Sequence, residues 1–100
     1  MKVQQMISKT SGNPVANQFI LRGTFDGGQA LGMLHRAKVF QSYDSVIAVV
    51  VEGKTFLDAN TWDYSRTTSK YRNQFLGEST QETKNKIANG EYQLVELNHE

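Results

Sequence analysis

Val46-Ile-Ala-Val-Val-Val51 is an unbroken apolar run in which five of six residues are β-branched. β-Branched side chains are stiff at χ1 and pack well on a pleated surface, so the run predicts a strand. It lacks the alternation of a half-exposed strand, which implies a central strand covered on both faces. It is also far short of the roughly 20 residues a membrane-spanning helix needs. Glu52-Gly53 follows as a tight turn, and Lys54-Thr-Phe-Leu57 leads back, so residues 45–57 read as a β-hairpin.

A central strand needs neighbours. Gln18-Phe-Ile-Leu-Arg22 and Lys38-Val-Phe-Gln-Ser-Tyr43 supply two further strand readings, and Tyr92-Gln-Leu-Val-Glu-Leu97 a last one. Gly12-Asn13-Pro14 and Asp26-Gly27-Gly28 punctuate the first half as turns. Residues 1–11 are polar and expected to be frayed, with a short strand through Val3, Met6 and Ile7 as the other reading. Residues 29–37 are ambiguous between a loop, a helical turn and a hairpin arm, and Gly32 weakens each of the regular readings.

The period changes after residue 60. Tyr64, Thr68, Tyr71 and Phe75 recur at spacings of 4, 3 and 4. That spacing places them on one helix face, with Arg66, Lys70 and Asn73 opposite. Ser65 is the expected N-cap and Gly77 the stop. Ser79-Thr-Gln-Glu82 carries the capping-box pattern for a second helix that Asn89-Gly90 ends, with Ile87 its one large apolar anchor and a Glu82–Lys86 pair along its surface. Strands followed by helices and a final strand predict an α+β fold: a small antiparallel sheet of about four to five strands, packed by one or two C-terminal helices.

One hundred residues are one domain's worth of chain. The absence of cysteine excludes disulfides and thiolate metal sites, and suits a bacterial cytosol. A formal charge of +1 lacks the basic excess of a dedicated duplex binder, so any nucleic-acid role would need a local patch. No leader-like apolar segment opens the chain.

The residues available for chemistry are few. His99 is penultimate, in a position where chains fray, and His35 stands alone in the ambiguous segment. Asp58 and Asp63 bracket a strand-to-helix loop, where carboxylates most often cap and turn. Gly23–Gly32 is glycine-rich but lacks the ending of a phosphate loop. No catalytic residue, metal or cofactor is therefore expected. Two surfaces remain: the segment with Leu31, Met33, Leu34, His35 and Arg36 as a partner-binding loop, and Trp62, Arg66, Lys70 and Arg72, where aromatics and cations interleave as single-stranded nucleic acid requires.

Four segments carry a resemblance: Gly12-Asn-Pro-Val-Ala-Asn-Gln-Phe-Ile20, Phe40-Gln-Ser-Tyr-Asp-Ser-Val-Ile-Ala48, Trp62–Leu76 with its Tyr64-Ser-Arg-Thr-Thr68 core, and Glu82-Thr-Lys84 through Gly90-Glu-Tyr-Gln-Leu94. Together, over about four-fifths of the chain, they resemble small bacteriophage and prophage accessory proteins without an assigned activity. Against that pattern residues 29–38 look like an insertion. The resemblance implies a phage origin and a host-bacterial cytoplasmic setting; with the empty catalytic inventory and the exposed loop it leads to a non-enzymatic binding protein that modulates or inhibits a host protein or ribonucleoprotein complex, anti-CRISPR or other anti-defence action being its sharpest form. Nucleic-acid binding is the alternative and an enzyme a distant third. No membrane role is expected, and a homodimer across a free sheet edge is compatible with the pattern.

Overall fold

The chain runs β1 (Lys2–Ile7), β2 (Pro14–Asp26), α1 (Gly28–Leu31), β3 (Met33–Ser42), β4 (Ser45–Val51), β5 (Lys54–Asp58), α2 (Arg66–Leu76), α3 (Thr80–Ala88) and β6 (Tyr92–Val95), in a computed structural model that describes residues 1–98. His99, expected to be frayed, lies outside the described residues. The six strands form one open sheet in sequence order, β1-β2-β3-β4-β5-β6. This is an α+β fold with a mixed sheet. All neighbours are antiparallel except β5 and β6, which pair in parallel because α2 and α3 intervene between them. Among the described residues no helix is long and apolar enough to cross a membrane.

The apolar run of β4 is covered on both faces. On one side Phe40, Ile47, Ala48 and Leu57 pack with Met6 of β1 and with Tyr71 and Phe75 of α2. On the other, Val39, Val49, Val51 and Phe56 pack with Ala37 and Leu97, flanked by Leu21, Phe25, Leu31 and Leu34. A bulge between Phe40 and Gln41 gives β4 one extra residue, so Ile47 and Ala48 both join the helix-side core.

Residues 2–7 are a paired strand, not a frayed end. They register against Pro14–Arg22, and Met6 is buried. Their polarity reflects an edge strand, whose exposed positions have no core to face. The ambiguous segment resolves into a single helical turn followed directly by β3. That strand therefore begins at Met33, earlier than the alternation from Lys38 suggests.

The helix ends match their sequence signals. Ser65 Oγ accepts from the Thr68 amide at 3.1 Å, and Gly77 closes α2 with φ +70°. Ser79 and Glu82 make both bonds of the capping box at 3.1 Å. Thr68, Tyr71 and Phe75 point inward, whereas Tyr64 precedes the helix and is 48% exposed. Lys86 does not pair with Glu82, whose carboxylate is committed to the cap. Its Nζ bonds Glu78 Oε1 at 2.7 Å.

Candidate functional site

The segment expected to meet a partner folds back on the sheet. Asp26 Oδ1 accepts from the Gly28 amide at 2.8 Å and starts the turn. Leu31 then packs directly over Gly27, where a Cβ would stand 2.6 Å from the Leu31 Cβ, so only glycine fits there. Leu31 and Leu34 are half-buried against the core face away from the helices, while Met33 stays 58% exposed. Between this segment and the β4–β5 turn lies a recess of about 270 Å³. Leu31, Met33, Leu34 and His35 form one wall, and Val51 and Phe56 with Glu52 and Lys54 form the other. Four of the five expected partner-binding residues thus come together. Arg36 does not join them, because it lines a different cavity. His35 is exposed, with Nδ1 3.4 Å from Thr24 Oγ1.

Trp62, Arg66, Lys70 and Arg72 do not share one surface. Arg72 is fully buried, so it is unavailable to a nucleic acid, and this corrects its reading as a nucleic-acid contact. Its Nη1 donates to the Trp62 carbonyl and to Asp63 Oδ1 at 3.2 Å. Its Nη2 donates to Asn73 Oδ1 at 3.0 Å and Thr80 Oγ1 at 2.9 Å. The guanidinium fork therefore staples the loop before α2 to the start of α3. Arg66 and Lys70 remain exposed beside Tyr64.

The carboxylates serve as turn and loop anchors. Asp58 Oδ2 accepts from the Thr61 amide at 3.0 Å and its hydroxyl at 2.7 Å, and Oδ1 accepts from the Leu97 amide at 2.8 Å. Burial pushes the Asp63 carboxyl up, but hydrogen bonds from Ser69 and Arg72 outweigh it and hold the group below its ordinary range. Glu78 was not anticipated. Its carboxylate accepts from Lys86 Nζ at 2.7 Å, Tyr92 Oη at 2.7 Å and Thr83 Oγ1 at 2.6 Å. Burial raises its pKa, and these donors, Lys86 first, bring it below the usual carboxylate value. Correspondingly, burial and the bond to Glu78 raise the Tyr92 phenol, and Lys86 is raised by its own hydrogen bond to Glu78.

Sequence reasoning missed a second cluster. Register aligns Lys2 with Arg22 and Arg22 with Lys38 across three neighbouring strands. Lys38 Nζ lies 4.9 Å from the centre of the Phe75 ring, which places the row on the helix side of the sheet. The three residues and Arg36 line a trough of about 600 Å³ that, among the described residues, contains no carboxylate. In the sequence these cations are mostly separated by long intervals, and the strand register that assembles three of them is invisible in composition.

No curated protein and no solved structure matches this chain. A family model does match it over residues 1–91, so the chain belongs to DUF8033, a family of unknown function.

Proposed function

We propose that this protein is a non-enzymatic binding protein whose partner docks at the recess between residues 31–35 and the β4–β5 turn. The observation that supports this reading is Met33. It is 58% exposed and lines a recess in which Leu31, Leu34, Val51 and Phe56 stand beside the opposite charges of Glu52 and Lys54. An apolar centre with a polar rim is the anatomy of a protein interface, and an unbranched, polarizable methionine suits an adaptable contact. The resemblance to bacteriophage accessory proteins supplies the class of partner: a host protein or ribonucleoprotein machine in the bacterial cytoplasm, which the chain would inhibit, with a CRISPR effector as the sharpest case.

The test compares wild type with Met33→Asp in affinity capture from a bacterial lysate. A defined species should be retained by wild type and lost with Met33→Asp, while both proteins melt alike. Identical captured sets from the two proteins would remove the recess from consideration.

A further inference from the structure

The cationic row costs stability. Like charges placed directly opposite one another on a sheet repel, and Lys2, Arg22 and Lys38 stand opposite in succession. Among the described residues the two ion pairs present, Arg72–Asp63 and Lys86–Glu78, use none of them. Among the described residues the one side-chain hydrogen bond that the row itself makes is from Arg22 Nη1 to Gln4 Oε1 at 3.2 Å, a neutral partner.

A second anomaly adjoins the row. Between Gly23↔Ala37 and Phe25↔Leu34 the pairing gains one residue on β3, so His35 and Arg36 together oppose Thr24. Arg36 takes the left-handed conformation there, with φ +59°. Glycine adopts that conformation freely, whereas a residue with a Cβ is strained in it. Gly23, next to the bulge, has φ +137° and would bring an added Cβ within 3.2 Å of the Met1 backbone, so the residue before β1 packs tightly against this end of β2. The bulge therefore sets an arginine beside a row of repelling cations, where strain and repulsion both oppose folding.

From this juxtaposition we propose that Lys2, Arg22, Arg36 and Lys38 form a binding trough for the phosphate backbone of a single-stranded nucleic acid. Two guanidinium forks can each hold a phosphate bidentately, and the two ammonium groups add point charges. The groups sit on side chains over an open trough without a nest of backbone amides, so each phosphate is held weakly and affinity accumulates along a polymer. Three strands at about 4.8 Å spacing make a trough about 10 Å wide. A row that short suits a flexible single strand, which can bend to bring successive phosphates over it, better than a stiff duplex. The trough presents no exposed aromatic ring, so recognition is of backbone and independent of base sequence.

Fluorescence anisotropy with a labelled mixed-sequence single-stranded DNA tests this. Four neutralised phosphates predict a log–log salt slope near −2.8, or about 50-fold weaker binding at 200 than at 50 mM salt. Arg22→Gln and Lys38→Gln should each reduce the slope by about 0.7. Arg66→Gln with Lys70→Gln should leave it unchanged. Arg36→Gly should weaken binding while raising the melting midpoint by a few degrees, because it removes the strain together with the charge, and a merely structural arginine would not separate the two. No binding at low salt overturns the proposal. So does wild-type affinity in the Arg22→Gln, Lys38→Gln double variant. Tighter binding of the matching duplex, displacement by equimolar inorganic phosphate, or equal competition by polyglutamate would each assign the trough to a different ligand and overturn it as well.

Discussion

The guanidinium carbon of Arg72 lies 5.0 Å from the centre of the Trp62 ring, while Nη1 of the same group donates to the Trp62 backbone carbonyl. One buried cation thus holds both the ring and the main chain of the residue that leads into α2. A charge can stay fully buried only where its hydrogen bonds are supplied, and here Asp63, Asn73 and Thr80 complete the set except at Nε.

Arg72→Ala should therefore destabilise the fold by about 2–4 kcal/mol, because Asn73, Thr80 and the Trp62 carbonyl lose their donor and a cavity opens under Trp62, while the partly exposed Asp63 is left to water. Arg72→Lys should recover little of this, since one ammonium cannot span partners on both sides of the fork. Urea unfolding followed by Trp62 fluorescence measures both. A loss below about 1 kcal/mol for Arg72→Ala would show that the staple does not hold the helices.

Glu78 should give stability a distinct pH signature. Its folded pKa is lowered from 4.5, so its contribution is complete above the unfolded value and is lost as pH falls through the folded one. Asp63 is lowered from 3.8 and acts in the same direction. Tyr92 and Lys86 are raised from 10.0 and 10.5, so their contributions hold below those values and are lost as pH rises through the folded ones. Glu78→Gln should flatten the alkaline limb and leave only the Asp63 part of the acid limb. Thermal midpoints across pH read this directly, and an unchanged alkaline limb would detach Tyr92 and Lys86 from Glu78.

Gln18 is fully buried, and neither Oε1 nor Nε2 has a protein partner. An unsatisfied buried carboxamide costs about 1–3 kcal/mol, whereas an apolar group of the same shape costs little. Gln18→Met should stabilise the protein by about 1 kcal/mol in denaturant unfolding. Destabilisation of that size would mean that the carboxamide is held by a partner worth more than its burial penalty.

Asn98 acts as a one-residue strand. Its Oδ1 accepts from the Val46 amide at 2.6 Å and its Nδ2 donates to the Val46 carbonyl at 2.7 Å. This closes the end of β4 beyond the last pairing with β5. Asn98→Ala should cost about 2 kcal/mol and selectively increase amide exchange at Val46. Unchanged protection at Val46 would show that the backbone finds another partner.

Local chemistry made much of the fold readable in advance. The β-branched run, the Glu52-Gly53 turn, the Ser65 and Gly77 caps and the Ser79–Glu82 box are settled by backbone sterics and by hydrogen bonds between residues three or four apart, so sequence alone determined them. Likewise Thr68, Tyr71 and Phe75 face inward because helical geometry puts that spacing on one side. Tertiary structure decided what depends on partners distant in the chain. Tyr64 escaped the inward face because the helix starts after it, and Arg72 was drawn inside because Trp62, Asp63 and Thr80 converge on it from two flanking segments. The parallel return of β6, the choice of Glu78 over Glu82 by Lys86, and the alignment of Lys2, Arg22 and Lys38 follow from register between strands and helices, which no local pattern encodes.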